Sequence, residues 1–278
     1  MLELFLALGN VRREPSGRGE LLTQTLMGTV VKLLKKANGY FYIQMPDKYL
    51  GWIDATSVFT TNQAGMKVWL ATPKVIVTKL IGVMHEKPEL SSKPMFALVA
   101  GCVLKNNGRK NGWILAELAD GRKGFVPDTF VQNLEEWNKS RMLTGENIEK
   151  TAKSLLGIPY LWGGTSVKEM DCSGFVKTVF RLNGMELSRD ADQQSKLGTH
   201  FVPGENFQNL RKGDIVFFGQ KATAKKPERI THVGIYLENR LFIHSSGSVH
   251  LSSFDTASRY FDKSLLKRFV WARRIIQE

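Results

Sequence analysis

The front half of this 278-residue chain overlays on itself at a constant shift: Pro15 falls on Pro88, Gly28 on Gly101, Gly39-Tyr40 on Gly112-Trp113, and Gly51-Trp52 on Gly124-Phe125. Glycine and proline stand where the backbone itself demands a turn, a bulge or a close approach. Four such anchors at one offset identify a tandem duplication, and any fold for the chain must contain the same small unit twice. Within each copy the apolar residues alternate in short runs. TVVKLL and ALVAGCVL show this alternation, FYIQM corresponds to ILAEL and GWID to GFVP, with polar turns (PDK and ADGRK) between the last two runs. Turn signals about every ten residues predict a small all-β barrel rather than helices.

The layout of the two copies, including the closing turns at Asp54-Ala55-Thr56-Ser57-Val58 and Asp128-Thr129-Phe130-Val131, resembles bacterial SH3-like domains in tandem. The expected boundaries are 1–65 for the first barrel and 66–137 for the second. Tyr40, Tyr42, Tyr49 and Trp52 supply either a ligand-binding face or ordinary core. The opening MLELFLALGN matches the start of such a barrel poorly. It also lacks the basic start and small-residue cleavage pattern of an export signal and carries Glu3. The expected location is therefore the bacterial cell envelope, periplasmic or secreted, if an export signal was trimmed from the sequence, and the cytoplasm otherwise. No segment has the apolar length of a membrane-spanning helix.

Charge separates the two halves. Of the formal net charge of +13, residues 1–65 carry +2, residues 66–137 carry +3 and residues 138–278 carry +8. The basic residues are dispersed and accompanied by no nucleic-acid recognition motif, so no nucleic-acid partner is expected; an acidic small or polymeric substrate fits the charge, and so does a merely solvated basic face. Two cysteines exclude a disulfide framework, and Cys102, inside LVAGCVL, reads as a small buried hydrophobe.

After Trp137 the pattern turns helical. Thr144 caps a helix whose apolar stripe is Ile148, Ala152, Leu155 and Leu156, stopped by Gly157-Ile158-Pro159. The segment PYLWGG then leads to DCSGFV, and Val176, Val179, Phe180 and Leu182 continue a second helix to Asn183-Gly184. Cys172 therefore sits at a helix N-terminus, where unpaired N–H groups favour a thiolate and can hold an oxyanion.

A thiolate nucleophile needs a base, and the chain offers His85, His200, His232, His244 and His250. THVGIYL (231–237) and LFIHSS (241–246) read as a hairpin. Val233, Ile235 and Leu237 share one face of the first strand, and Leu241 and Ile243 one face of the second. An odd loop of three residues, 238–240, projects His232 and His244 from the same surface, whereas a two-residue turn sends them to opposite faces. The expectation is the three-residue loop, with His232 as base and His244 as its orienter. Zinc is the rival reading of one cysteine and two histidines, but the chain lacks paired, closely spaced ligands, so neither metal nor other cofactor is expected.

In order and spacing, PYLWGG, DCSGFV, the run from Arg189 to Gln194, GDIVFF, THVGIYL and FIHSSG resemble NlpC-type, papain-like cysteine peptidases over residues 140–276. The resemblance implies an α+β papain-like catalytic domain at 138–278, with helices packed on an antiparallel sheet, preceded by the two SH3-like barrels. Tandem barrels further resemble the dipeptidyl-peptidase VI-like subgroup, which hydrolyses the γ-D-glutamyl–diamino acid bond of peptidoglycan stem peptides with a free N-terminal L-Ala.

Carried over by position, that resemblance implies Cys172 as nucleophile, His232 as base and His244 as third member. Asp171 and Ser173 hold substrate, Trp162 walls the cleft, and Asp190 with the backbone of Ala191 meets the substrate amine. Tyr49 and Glu20 of the first barrel are the candidates that close the amine end. The expected partner is a peptidoglycan-derived peptide, the expected resting pair is thiolate with imidazolium, and the expected oligomer is a monomer. An N-acetylmuramoyl-L-alanine amidase and a non-catalytic wall-binding protein are the alternatives.

Overall fold

A computed structural model of the protein describes residues 2–4 and 8–276. Phe5, Leu6 and Ala7 of the opening segment lie outside the described residues. The chain divides into two compact units, one of Met1–Ser140 with Ser166–Lys168, the other of Arg141–Thr165 with Glu169–Glu278.

The first unit contains the duplication. Its first sheet is built from β1 (Leu2–Leu4), β2 (Leu8–Arg12), β3 (Leu21–Leu26), β4 (Val30–Ala37), β5 (Tyr40–Gln44), β6 (Leu50–Asp54) and β7 (Val58–Thr60), ordered β3-β2-β6-β5-β4-β1-β7. Helix α1 (Gln63–Ala71) follows. The second sheet comprises β8 (Lys74–Val77), β9 (Ile81–His85), β10 (Pro94–Val99), β11 (Val103–Lys110), β12 (Trp113–Glu117), β13 (Lys123–Pro127) and β14 (Val131–Asn133), ordered β10-β9-β13-β12-β11-β8-β14, and ends in α2 (Leu134–Ser140). The two orders are the same when each strand is matched to its counterpart one repeat later. Within this unit Met27 O, in the turn after β3, accepts from Val103 N at the start of β11 at 2.9 Å, which links the two copies.

The repeated glycines earn their places in two ways. Gly28, Gly39, Gly101 and Gly112 have φ between 75° and 91°, the left-handed region that side chains avoid. Gly51 and Gly124 are extended, and a Cβ on Gly51 would stand 2.5 Å from Val11 Cγ1. Val11 pairs with Ile53 across β2 and β6, and both enter a core with Val31, Ile43, Met45 and Val58. Two features lie beyond the strand reading. Asn62 Oδ1 accepts from Gly65 N at 2.9 Å and starts α1, and α1 and α2 span positions 65/66 and 137/138, where the barrel pattern was expected to break.

In the second unit α3 (Gly145–Ser154) is capped by Thr144 Oγ1, which accepts from Asn147 N at 3.2 Å. Ile148, Ala152 and Leu155 are buried, while Leu156 lies past the helix end and is 44% exposed. The short pair β15 (Thr165–Ser166) and β16 (Glu169–Met170) leads to α4 (Cys172–Leu182) and α5 (Ala191–Gln194). Six antiparallel strands follow, namely β17 (Thr199–Phe201), β18 (Ile215–Gln220), β19 (Arg229–Tyr236), β20 (Leu241–Ser246), β21 (Ser248–Ser253) and β22 (Phe269–Arg274), with α6 (Lys263–Arg268) before the last. Their order is β17-β22-β18-β19-β20-β21. The architecture is the expected α+β sheet with helices packed on it.

Both faces of the sheet's centre are buried. Ile215, Ile235 and Ile243 align across β18, β19 and β20 on one face. Val216, Phe218, Tyr236 and Phe242 share the other, in a cluster with Phe254, Leu265 and Phe269. That explains the unbroken apolar run IVFF: a strand covered on both sides has no polar face to alternate with.

Gly51→Ala is expected to cost about 1–3 kcal/mol, because the new methyl meets the Val11 side chain inside a packed barrel. Denaturant unfolding of the first unit's tryptophan signal measures it. An unchanged midpoint contradicts the close approach.

Candidate active site

Asp171 organises the start of α4. Its Oδ1 accepts from Gly174 N at 2.7 Å, the N-cap bond that fixes the first turn, and its Oδ2 accepts from Gly163 N at 2.9 Å. The PYLWGG loop is thus tied to the helix start. Gly174 is required there, because a Cβ on it would stand 2.0 Å from the carbonyl oxygen of Gly164. Buried Arg189, 2% exposed, donates to the same carboxylate from Nη1 at 3.1 Å and from Nη2 at 2.5 Å, and to Ser173 Oγ at 2.8 Å. Gln194, fully buried, donates from Nε2 to the carbonyls of Ser173 at 3.0 Å and Ser188 at 2.9 Å.

Asp171 and Ser173, expected from the resemblance to hold substrate, are therefore buried and bonded inside the fold around the nucleophile's helix. Arg189 and Gln194 are structural members of the site to which the sequence assigns no individual role. Both lie within the run from Arg189 to Gln194, and the available signal is a basic residue in a polar segment together with an aspartate directly before the helix that Cys172 begins.

Cys172, the first residue of α4, is buried. Its sulfur lies against the backbone N–H groups of Ser173 and Val233, and Val233 follows His232 in β19. Burial first, and then the neighbouring Asp171 charge, push the thiol up to about 12, outweighing the two N–H groups and Arg189. The expected thiolate at rest is thereby reversed: the helix start is favourable, but loss of water and an adjacent carboxylate are stronger. The phenol of Tyr160 is likewise raised to about 12, by burial first and then by the charges of Cys172 and Asp171. Tyr160 stands in PYLWGG and was given no role by sequence.

The β19–β20 hairpin turns through 238–240. Leu237 N donates to Leu241 O at 2.9 Å, and Asn239 and Arg240 take left-handed φ of 50° and 62°. Ile235 pairs with Ile243 and Tyr236 with Phe242. The odd loop puts His232 and His244 on one surface, with His232 Nε2 and His244 Nδ1 at 2.9 Å. His244 Nε2 is 3.1 Å from Ser252 Oγ, and the His250 ring packs on His244 at 4.4 Å between centroids. If Nδ1 of His232 is the free lone pair, its proton is on Nε2 and is donated to His244 Nδ1; His244 then carries its own proton on Nε2, facing Ser252.

Burial pushes His232 down to about 4, helped by the charges of Arg268 and His250, against Asp262 and Asp171. His244 is 1% exposed and falls to about 2, chiefly by burial. A neutral His244 is the useful state, since it accepts from His232 in every protonation state that His232 adopts.

Trp162 is 63% exposed, and Asp190 is the N-cap of α5, whose first residue is Ala191. Both stand next in sequence to the groups around Cys172. Glu20 and Tyr49 belong to the first unit. Glu20 pairs with Arg13 Nε at 2.6 Å, and Tyr49 is half-buried against the first barrel's core. His85 stands in β9 of the first unit, and His200 in β17, separated from β19 by β22 and β18 in the sheet order. Among the described residues no group of three or more His, Cys, Asp or Glu is arranged to hold a metal ion, and no helix is long and apolar enough to cross a membrane.

A buried cysteine at a helix start, backed by two hydrogen-bonded imidazoles on an antiparallel sheet, defines a papain-like thiol site. Residues 157–270 match the NlpC/P60 family, and residues 11–58 match the bacterial dipeptidyl-peptidase Sh3 domain. The chain belongs to the NlpC/P60 family of cysteine peptidases. It is 26% identical over 258 residues to dipeptidyl-peptidase 6 of Lysinibacillus sphaericus, covering 89% of each chain. It is 27% identical over 234 residues to the γ-D-glutamyl-L-lysine dipeptidyl-peptidase of Bacillus subtilis strain 168, covering 80% of this chain and 71% of that one. The crystal structure of an NlpC/P60 family protein from Bacillus cereus shares the fold with a TM-score of 0.82 at 21% identity, covering 99% of both chains.

Arg189→Met is expected to destabilise the protein by about 3–5 kcal/mol, since it strands the buried Asp171 charge. Adding Asp171→Asn, which keeps an N-cap oxygen, should recover part of that loss in urea unfolding. Equal stability of wild type and Arg189→Met contradicts the assignment.

Proposed function

We propose that the protein is a cysteine peptidase of peptidoglycan stem peptides that cleaves between γ-D-glutamate and the diamino acid when the N-terminal L-Ala is free. The observation that carries the catalytic part is the hydrogen bond between His232 Nε2 and His244 Nδ1, because it leaves His232 Nδ1 as the nitrogen available to the Cys172 thiol. The choice of bond is supported by the names and coverage of the two dipeptidyl-peptidase relatives, each of which spans barrels and catalytic domain together.

In this reading Cys172 attacks the γ-carbonyl carbon while its proton passes to His232 Nδ1. A sulfur–carbon bond forms, and the carbonyl oxygen takes up negative charge beside the N-terminal N–H groups of α4. His232 returns the proton to the diamino acid nitrogen as the carbon–nitrogen bond breaks, which leaves a thioester. Water, deprotonated by the same imidazole, then releases L-Ala-γ-D-Glu and restores the thiol. Since burial holds both thiol and imidazole neutral in the empty cleft, proton transfer accompanies attack and does not precede it.

Trp162 forms a wall for the peptide, and Asp190 with the Ala191 backbone receives the α-ammonium of L-Ala. A carboxylate matches an ammonium group, whereas a stem peptide still joined to glycan presents an amide there. Asp171 and Ser173 act by holding Cys172 through Arg189 and the helix cap.

The test is mass spectrometry of L-Ala-γ-D-Glu-L-Lys with and without an N-terminal acetyl group. The free peptide should yield L-Ala-γ-D-Glu and lysine, the acetylated one should resist, and Cys172→Ala should abolish release. Cleavage after L-Ala, or equal cleavage of both peptides, contradicts the reading.

A further inference from the structure

The end of α6 meets β19 beside His232. His232 pairs with Phe218 across β19 and β18, and Phe218 pairs with Phe269 across β18 and β22. Arg268, the residue before Phe269, is therefore level with the Thr231-His232 step. Its Nη2 donates to Thr231 Oγ1 at 2.9 Å. The guanidinium is exposed and, among the described residues, has no carboxylate partner.

Asp262, the N-cap of α6, lies at the opposite end of that helix, where its Oδ1 accepts from Leu265 N at 2.8 Å. The surface has many other cations. What distinguishes Arg268 is that its charge, after burial, is the main influence holding the His232 imidazole down.

Acyl transfer at Cys172 fixes what must lie near this cation. The departing nitrogen has to contact His232, because His232 supplies its proton. In the proposed substrate that nitrogen is the α-amine of a diamino acid, and the α-carbon beside it bears a carboxyl group. We infer that Arg268 anchors a leaving-group subsite that binds the carboxylate of the departing diamino acid. The inference rests on the γ-D-glutamyl–diamino acid cleavage proposed above. Its consequence is a coupling between binding and chemistry: a carboxylate paired with Arg268 offsets the cation, so His232 becomes more basic when it must carry the thiol proton. Asp262, His250 and Asp171, the other charged or titratable groups that act on His232, are unchanged by that pairing.

The test compares kcat/KM for L-Ala-γ-D-Glu-L-Lys, its C-terminal carboxamide and L-Ala-γ-D-Glu-L-Lys-D-Ala in wild type, Arg268→Gln and Arg268→Lys. Wild type should favour the acid over the amide by about tenfold or more, the worth of a charged hydrogen bond. Arg268→Gln should cleave acid and amide at the same kcat/KM, erasing the preference that wild type shows. Arg268→Lys should restore part of the preference.

If the tetrapeptide depends on Arg268 as the tripeptide does, the carboxylate bound is the terminal one of either peptide. If it behaves like the amide, the subsite takes the diamino acid's own carboxylate alone. Equal cleavage of acid and amide by wild type, or equal slowing of both in Arg268→Gln, overturns the subsite and leaves the cleavage reading intact. Wild type that cleaves none of the three overturns both.

Discussion

The carboxylate of Asp171 is the point on which the catalytic unit depends. One buried group caps α4, holds the Gly163 turn and pairs with Arg189. Each bond compensates for part of the desolvation that an isolated carboxylate suffers, and together they leave Cys172 no freedom in where its backbone lies. Ser173 and Gln194 extend the same network to the run that begins at Arg189. A nucleophile on a helix N-terminus is placed by its cap, and here the cap is itself fixed by a buried cation.

The same burial that fixes the cysteine also governs its reactivity. A dry sulfur and a dry imidazole are both held in their neutral forms, and the adjacent Asp171 charge reinforces the effect on the sulfur. His244 completes the arrangement as a neutral acceptor. A carboxylate in its place would stabilise imidazolium more strongly, but it would bury a second anion in the catalytic unit. With Ser252 as its outer partner, His244 orients His232 without adding charge. The cleft is thus quiet when empty, and substrate binding, which adds its own charges, is what changes the balance.

Much of this was legible in the sequence where a local rule decides the outcome. Turn glycines at one offset revealed the duplication, and the two sheets repeat strand for strand at that offset. The parity of the 238–240 loop settled which side His244 would face, because side chains in a strand alternate with a period of two. What was not legible depends on distance. Arg189 is 18 residues from Asp171, and nothing local says that the two meet. The thiol's protonation was misjudged because the helix terminus was weighed alone, without the burial and neighbouring acid that only the tertiary fold supplies. Likewise α1 is a short segment whose cap, Asn62, competes with a strand-like surrounding pattern. Glu20 and Tyr49 rest on the family resemblance, not on any local rule.

The most direct measurement is the rate of alkylation of Cys172 by iodoacetamide as a function of pH, in a Cys102→Ala background with no substrate present. A sulfur that is neutral at rest should react slowly near neutrality, with a rate that climbs steadily through pH 9 and shows no earlier plateau. A fast, pH-independent plateau between about pH 5 and 8 would reveal a preformed thiolate–imidazolium pair and contradict the account.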